Sequence, residues 1–428
     1  MNRNNTYSDG FINILTYVIL FLFAFIPFRE LLALYISPAI KLIPDILVIG
    51  LFLYEFFRYK GFKKINGIDL SYALFLAVAF ISTMLNKVGI KSFLVEARSI
   101  SVLYLVYFLL RDKNLPREMF FKLRSVLIVD MYVLVICSLV EKLSSKMWLF
   151  PYQWYFGRPF GSNLPRVYSF FNNPNTFGAF IILSIITMMV YDVKYEKTSK
   201  LFYFTSFLGL ALTVSRSSIL ALFIAFVILA FVIKDKKFKA TVLILLVLSI
   251  PCYLAVDFAA SKINLNMQRN NLLDRFGEMA GDKIYENSSE DGRIYSVKTG
   301  IKVFSEHKLL GSGFGTYGDA ASLILGSPIY EKYGIRENFY SDNEYIKVIA
   351  ETGVIGTLSY ALFIISIIFA TYKKRNVLTF TLLVMLLFMG LFYNIFEIQI
   401  ISLFFWFWFG FRLDENGRTN IITSTSMF

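Results

Sequence analysis

Apolar runs follow one another along most of the chain, broken by short polar connections. Read as helices that each need about 20 residues to cross about 30 Å of hydrocarbon, they lie near 11–28, 37–57, 68–86, 94–110, 125–141, 176–191, 201–214, 218–233, 240–256, 354–371, 377–394 and 396–411. The pattern predicts an all-α polytopic membrane protein with about twelve transmembrane helices. The seventh and eighth runs are short, and the polar stretch Ser215-Arg216-Ser217-Ser218 divides them. No small-residue cleavage site follows Phe11–Phe28, so this first run reads as a retained span.

Two polar stretches interrupt the rhythm. One runs from about 142 to 175, and a longer one occupies about 257–353. The chain therefore divides into 1–256 with nine spans, 257–353 as a loop, and 354–428 with three spans and a tail. A connection as long as 257–353 is functional by default.

Composition agrees with this picture. Apolar residues make up 57% of the 428 positions and charged residues only 17%, against about 25% charged in a soluble domain. One histidine and two cysteines rule out any zinc site built on several histidines or four cysteines. Cys137 and Cys252 sit within apolar runs and read as small buried residues. The net charge of +13 raises the question of an anionic partner. It is resolved by position: with both termini inside, Arg58–Lys64, Arg111–Arg124, Lys194–Lys200, Lys234–Lys239, Lys373–Arg375 and the tail with Arg412 and Arg418 all face the cytoplasm. This is the positive-inside pattern, and it calls for no nucleic-acid partner. The loop 257–353 then lies outside and is close to neutral.

Within that loop, Ile294, Val297, Ile301 and Phe304 recur at helical spacing, so a helix is expected from near Arg293 to Glu306-His307-Lys308. The stretch Leu309-Leu310-Gly311-Ser312-Gly313-Phe314-Gly315-Thr316-Tyr317-Gly318 follows. It has neither the Gly-Lys-Ser/Thr ending of a P-loop nor the spacing of a dinucleotide fingerprint. It reads either as a flexible turn or as a close backbone approach to a ligand. In Ser341-Asp342-Asn343-Glu344-Tyr345, Ser341 and Glu344 have capping-box spacing, so a helix is expected to start there and to run through Gly353 into the next span. Asn173-Pro174-Asn175 reads as a turn and N-cap for the span after it.

Four stretches taken together resemble the superfamily of O-antigen ligases and Wzy-type O-antigen or capsule polymerases. They are Arg166 to Asn175, Leu212 to Ser218, the Arg293 helix leading into Lys308-Leu309-Leu310-Gly311-Ser312-Gly313-Phe314-Gly315, and Asp342-Asn343-Glu344-Tyr345 with Glu351-Thr352-Gly353-Val354-Ile355-Gly356. The resemblance implies a metal-independent glycosyltransferase, with no cofactor, at the outer leaflet of the cytoplasmic membrane of a bacterium. Donor and acceptor would be oligosaccharides on undecaprenyl pyrophosphate in a polymerase. In a ligase the acceptor would be the lipid A core. A chain-length regulator and a flippase of the same pathway are the implied partners. Arg216 and Arg293 match family positions placed at the pyrophosphate. The ligase motif has a histidine where Asp342 stands, which favours the polymerase branch.

The residues support that chemistry. Departing pyrophosphate must be held as charge develops, and guanidinium forks match phosphate oxygens. Arg216, at a break between apolar runs, and Arg293, at a helix start where the dipole disfavours a cation, are the first candidates. Arg166, Asn173, Asn175, Gly313, Gly315 and Asn343 are candidate substrate contacts. Asp342 is the first choice of base, with Glu344 as its neighbour or replacement and His307 as a third possibility. Asp45, Glu96, Arg98, Asp130 and Glu397 lie in or near spans, where charges usually face the interior and pair with one another. Trp148, Tyr152, Trp154, Tyr155, Phe156, Phe339 and Tyr340 form either an interfacial belt or a sugar-stacking platform. A transporter of lipid-linked sugars is the reading from another class. It would put its polar sequence at mid-membrane rather than in one long loop.

Overall fold

The computed structural model describes residues 9–58, 65–113, 115–144, 166–194, 199–263, 292–374 and 376–411. The aromatic cluster Trp148–Phe156, most of the 142–175 connection, residues 264–291 of the long loop, and Arg412 and Arg418 lie outside the described residues. Among the described residues the chain is helical, with no strand.

In chain order the helices are α1 (Asp9–Phe25), α2 (Arg29–Tyr35), α3 (Ile43–Arg58), α4 (Gly67–Leu85), α5 (Ile90–Ser101), α6 (Tyr104–Leu110), α7 (Arg117–Leu143), α8 (Pro174–Lys194) and α9 (Lys200–Thr213). They continue with α10 (Arg216–Val232), α11 (Lys236–Ile263), α12 (Arg293–Glu306), α13 (Ala320–Leu325), α14 (Tyr330–Tyr333), α15 (Glu344–Lys374), α16 (Val377–Met389) and α17 (Gln399–Gly410). Each apolar run of the sequence is largely helical, but the runs expected over 377–394 and 396–411 are separated by a non-helical stretch, Gly390–Ile398. Five helices are long and apolar enough to cross a membrane, and up to seven spans result if the bent pairs α1–α2 and α5–α6 each count as one. The apolar helices α9, α10, α16 and α17 are shorter, at 10–17 residues, so by length the described residues give five to seven spans rather than the twelve expected. Many helices turn large apolar side chains outward, as Phe57, Phe223, Phe231 and Phe369 do. That is what a lipid solvent requires.

The chain forms two compact units. One comprises Met1–Leu51, Val106–Gly277 and Trp406–Phe428, the other Phe52–Leu105 and Glu278–Phe405. In the first, α9 packs against α7, α8 and α11. Gly209 allows the close approach: a Cβ there would lie 2.7 Å from the Val135 side chain. Helix α8 is the most enclosed of the candidate spans. Asn173 accepts from the Asn175 amide at 2.8 Å just ahead of it, as the Asn-Pro-Asn sequence predicts.

In the second unit α4 and α12 pack against α15. Gly300 lies inside α12 because a side chain there would strike Ile346, 2.6 Å away. Val303, Tyr317, Tyr330, Tyr333, Ile346 and Ala350 form a small core of its own around this contact. Helix α15 breaks at Gly353 (φ 61°, ψ −158°). The break strands carbonyls on one side and amides on the other. The glycine-rich stretch satisfies both. Ser312 and Gly313 amides donate to the Ala350 and Glu351 carbonyls at 2.9 and 3.0 Å, and the Lys308 and Leu309 carbonyls accept from Val354 and Ile355 at 2.8 and 3.1 Å. Gly311 has φ +70°, and a Cβ there would sit 2.2 Å from the Glu351 carbonyl carbon.

Candidate active site

The second unit gathers its polar side chains around the start of α15. Asp342 lies two residues ahead of that helix, partly buried, in the left-handed region at φ +48°. Asparagine and aspartate adopt this conformation more readily than other non-glycine residues. Burial pushes the Asp342 carboxyl from its ordinary 3.8 up to about 6, against the pull of the Arg293 charge. Arg293 opens α12. Its guanidinium lies over the Phe392 ring, 5.0 Å from the centroid. Its buried Nε has no hydrogen-bond partner, and no described residue forms a direct ion pair with it. The second unit thus presents a cation with donors to spare beside a carboxyl poised near neutrality.

The capping box expected from Ser341 and Glu344 does not form. Asn343 is the cap, its Oδ1 accepting from the Ile346 amide at 3.0 Å, and its Nδ2 donates to the Leu391 carbonyl at 3.2 Å. Ser341 instead donates to Asn394 Oδ1 at 2.8 Å. Glu344 turns inward, buried, with Lys347 Nζ 3.8 Å from its carboxylate. Tertiary partners compete successfully for side chains that would otherwise cap locally.

Behind Asp342 lies an ionic cluster that the sequence reading missed. Lys347, 1% exposed, sits 2.6 Å from Glu397 Oε1, 3.2 Å from Glu96 Oε1 and 3.8 Å from Glu344 Oε2. Glu397 also accepts from the Ala320 amide at 2.9 Å, at the N-terminus of α13. Glu351, one turn further along α15, accepts from the Thr316 and Tyr317 amides at 2.8 and 2.7 Å. Glu96 and Glu397 were expected to face inward, and they do; their shared partner is Lys347, whereas Arg98 is exposed. The available signal was a lysine three residues after Glu344 in an otherwise apolar helix. Among the described residues no group of three or more His, Cys, Asp or Glu side chains is arranged to hold a metal ion.

Gly313 and Gly315 make their close approach to the protein itself. Added Cβ atoms would meet the Val88 side chain at 2.4 Å and Ser92 Oγ at 2.3 Å. Small size at these positions is therefore required by packing alone. His307 ends α12, with burial and then Lys332 lowering its pKa.

In the first unit, Arg166 is buried and committed. Its Nε donates to the Thr213 carbonyl at 3.0 Å and its terminal nitrogen to Asn175 Oδ1 at 2.7 Å. Ser215 Oγ lies 2.9 Å from the same Asn175 oxygen. Val214, at φ 51°, turns the chain between α9 and α10, so the Ser215–Ser218 break is real. Arg166, Asn173, Asn175 and Ser215 stitch this turn together. Arg216 is half-buried at the first position of α10.

No curated protein matches the chain. Residues 201–361 match the family model described as O-Antigen ligase, a segment that runs from α9 through the glycine-rich stretch, Asp342 and the break of α15. With its apolar helices, this makes the chain a multi-pass membrane protein related to enzymes of polysaccharide assembly. The match over residues 201–361 thus supports the resemblance to the O-antigen ligase and Wzy-type superfamily that the motifs carry.

Proposed function

We propose that this protein polymerises oligosaccharide repeats carried on undecaprenyl pyrophosphate, at the outer face of the cytoplasmic membrane. The observation that carries the reading is the juxtaposition of the Arg293 guanidinium, whose Nε has no hydrogen-bond partner among the described residues, with a carboxyl held near pKa 6 at Asp342. A general base works best when its pKa lies close to the operating pH. In the proposed step, the acceptor hydroxyl gives its proton to Asp342 and its oxygen bonds to the donor's anomeric carbon. The bond from that carbon to the pyrophosphate oxygen breaks, and the electron pair leaves on the lipid pyrophosphate. Arg293 holds the developing charge with forked donors. Asn343, beside Asp342, has its side chain on the Leu391 carbonyl and is a support rather than a contact. Arg216 remains a separate candidate for pyrophosphate.

The polymerase branch is favoured because Asp342 stands where the ligase motif carries histidine. Transfer to the lipid A core is the second reading, since the matching family is described by its ligase members. Purified protein in lipid nanodiscs, given synthetic lipid-linked repeats without added metal, should produce a ladder of polymer lengths. A product only when lipid A core is added would overturn the polymerase reading. Deletion of the gene should leave single-repeat glycans on the cell surface, whereas loss of a ligase leaves polymer on the carrier lipid.

A further inference from the structure

We infer that the turn Gly390–Ile398, which lies beyond the family-matched segment, is the positioning element of this site, and that Asn394 is the residue through which it acts. The inference rests on reading Asp342 as the base. Asn394 is fully buried. Its Nδ2 donates to the Gly318 carbonyl at 3.0 Å and its Oδ1 accepts from the Ser341 hydroxyl at 2.8 Å. The Gly318 carbonyl also accepts the Ser341 amide at 2.9 Å. One amide therefore ties the end of the glycine-rich stretch to the residue immediately before Asp342.

The rest of the turn works on the same target. The Gly390 carbonyl accepts the Glu344 amide at 2.9 Å, and the Leu391 carbonyl accepts the Asn343 side chain at 3.2 Å. From α12, Ser296 donates to the Ser341 carbonyl at 2.6 Å. A non-glycine residue at positive φ persists only where its neighbours hold it, and here the residues on both sides of Asp342 are held. Phe392 of the same turn lies against the Arg293 guanidinium. One irregular segment thus orients both the carboxyl and the cation. Asparagine suits its position because a primary amide offers a donor and an acceptor on one short stem. Aspartate would keep only the acceptor and would set a negative charge against the Gly318 carbonyl.

The charged and titratable groups that act on Asp342 are Arg293 from α12 and Tyr340 from the segment before it, and Tyr340 in turn lies near Lys347 of α15 and Glu397 of the turn. Loosening the turn admits water to the carboxyl without removing any of these charges. The test is the pH dependence of kcat and KM for lipid-linked repeats in Asn394→Ala, Ser341→Ala and the double variant. Each single change should lower kcat about 10- to 100-fold, the scale of a misplaced catalytic group, with KM unchanged. Each should also move the acid limb from near 6 toward the ordinary carboxylate range, and the double variant should be no worse than Asn394→Ala. Normal kcat with an unmoved limb, or effects that simply multiply, would overturn the inference. If Asn394→Ala does not fold, Ser341→Ala decides by the same readouts. The Asp342 carboxyl band, identified by infrared difference against Asp342→Asn, reads the same midpoint without turnover. A wild type that makes no polymer would sink the catalytic reading, while the band shift, or its absence, would still decide the positioning role.

Discussion

Arg166 in the first unit and Arg293 in the second both lie in stretches that resemble the same superfamily, Arg166 ahead of the irregular stretch before α8 and Arg293 at the first position of α12. Their surroundings differ. Arg166 spends its donors on the Thr213 carbonyl and on Asn175, which also receives Ser215. Arg293 lies against a ring with its Nε unpartnered among the described residues, and Asp342, whose carboxyl feels its charge, makes no direct ion pair with it. A buried arginine with its fork filled holds the fold. One with donors to spare is ready for an anion that the fold does not supply. From sequence Arg293 ranked as a first candidate for the pyrophosphate and Arg166 as a further substrate contact; hydrogen-bond accounting gives them different roles.

The comparison breaks first at the carboxyl beside Arg293. Asp342→Asn should lower polymerisation about 100- to 10,000-fold, the range for loss of a general base. Asparagine tolerates positive φ, so the fold should be kept. In the wild type the rate should rise with pH and level off above about 6. Stability should run the other way. The folded-state pKa is raised, so the contribution of this group is fully present below 3.8 and is lost as pH rises through about 6. Asp342→Asn should therefore be at least as heat-resistant as wild type at neutral pH, a point that thermal unfolding in detergent checks directly. Full turnover in this variant would move the base elsewhere.

Next comes Arg293→Ala, which should cost about 2–4 kcal/mol of barrier, or roughly 30- to 1,000-fold in rate, with little change in unfolding temperature. Arg166→Ala should show the reverse profile. Losing its bonds leaves the Thr213 carbonyl with one acceptor site unfilled, so a stability loss of about 1–3 kcal/mol is expected. Surviving protein should retain most of its turnover. Exchanged outcomes for these two variants would refute the distinction. The smallest effect is expected at Asn173→Ala, which removes the cap of α8 for about 1 kcal/mol and leaves kcat unchanged.

Much of this was legible in the chain. Most of each apolar run became helix, because a segment that must bury its backbone polar groups in lipid has few other choices; the exception is the Gly390–Ile398 turn, inside the runs expected over 377–394 and 396–411. The Asn-Pro-Asn start of α8, the break at Ser215 and the Arg293–Glu306 helix follow from local preferences and formed where expected. Asp342 and Arg293, separated by 49 positions in the numbering, were singled out by residue type and motif, and the structure brings them near enough to influence each other.

What the sequence determined by itself was the set of local decisions: where helices run, where glycine or proline ends them, and how few charges enter the apolar segments. Tertiary structure decided which polar groups are filled. It spent Arg166 on a turn, turned Ser341 from a cap into a tie to Asn394, and used Gly313 and Gly315 for packing against Val88 and Ser92. It also seated Lys347 among Glu96, Glu344 and Glu397. The reason is range. Capping and helix formation are settled within about four residues, whereas filling a buried fork or carboxylate depends on groups that only the folded chain brings within hydrogen-bond reach.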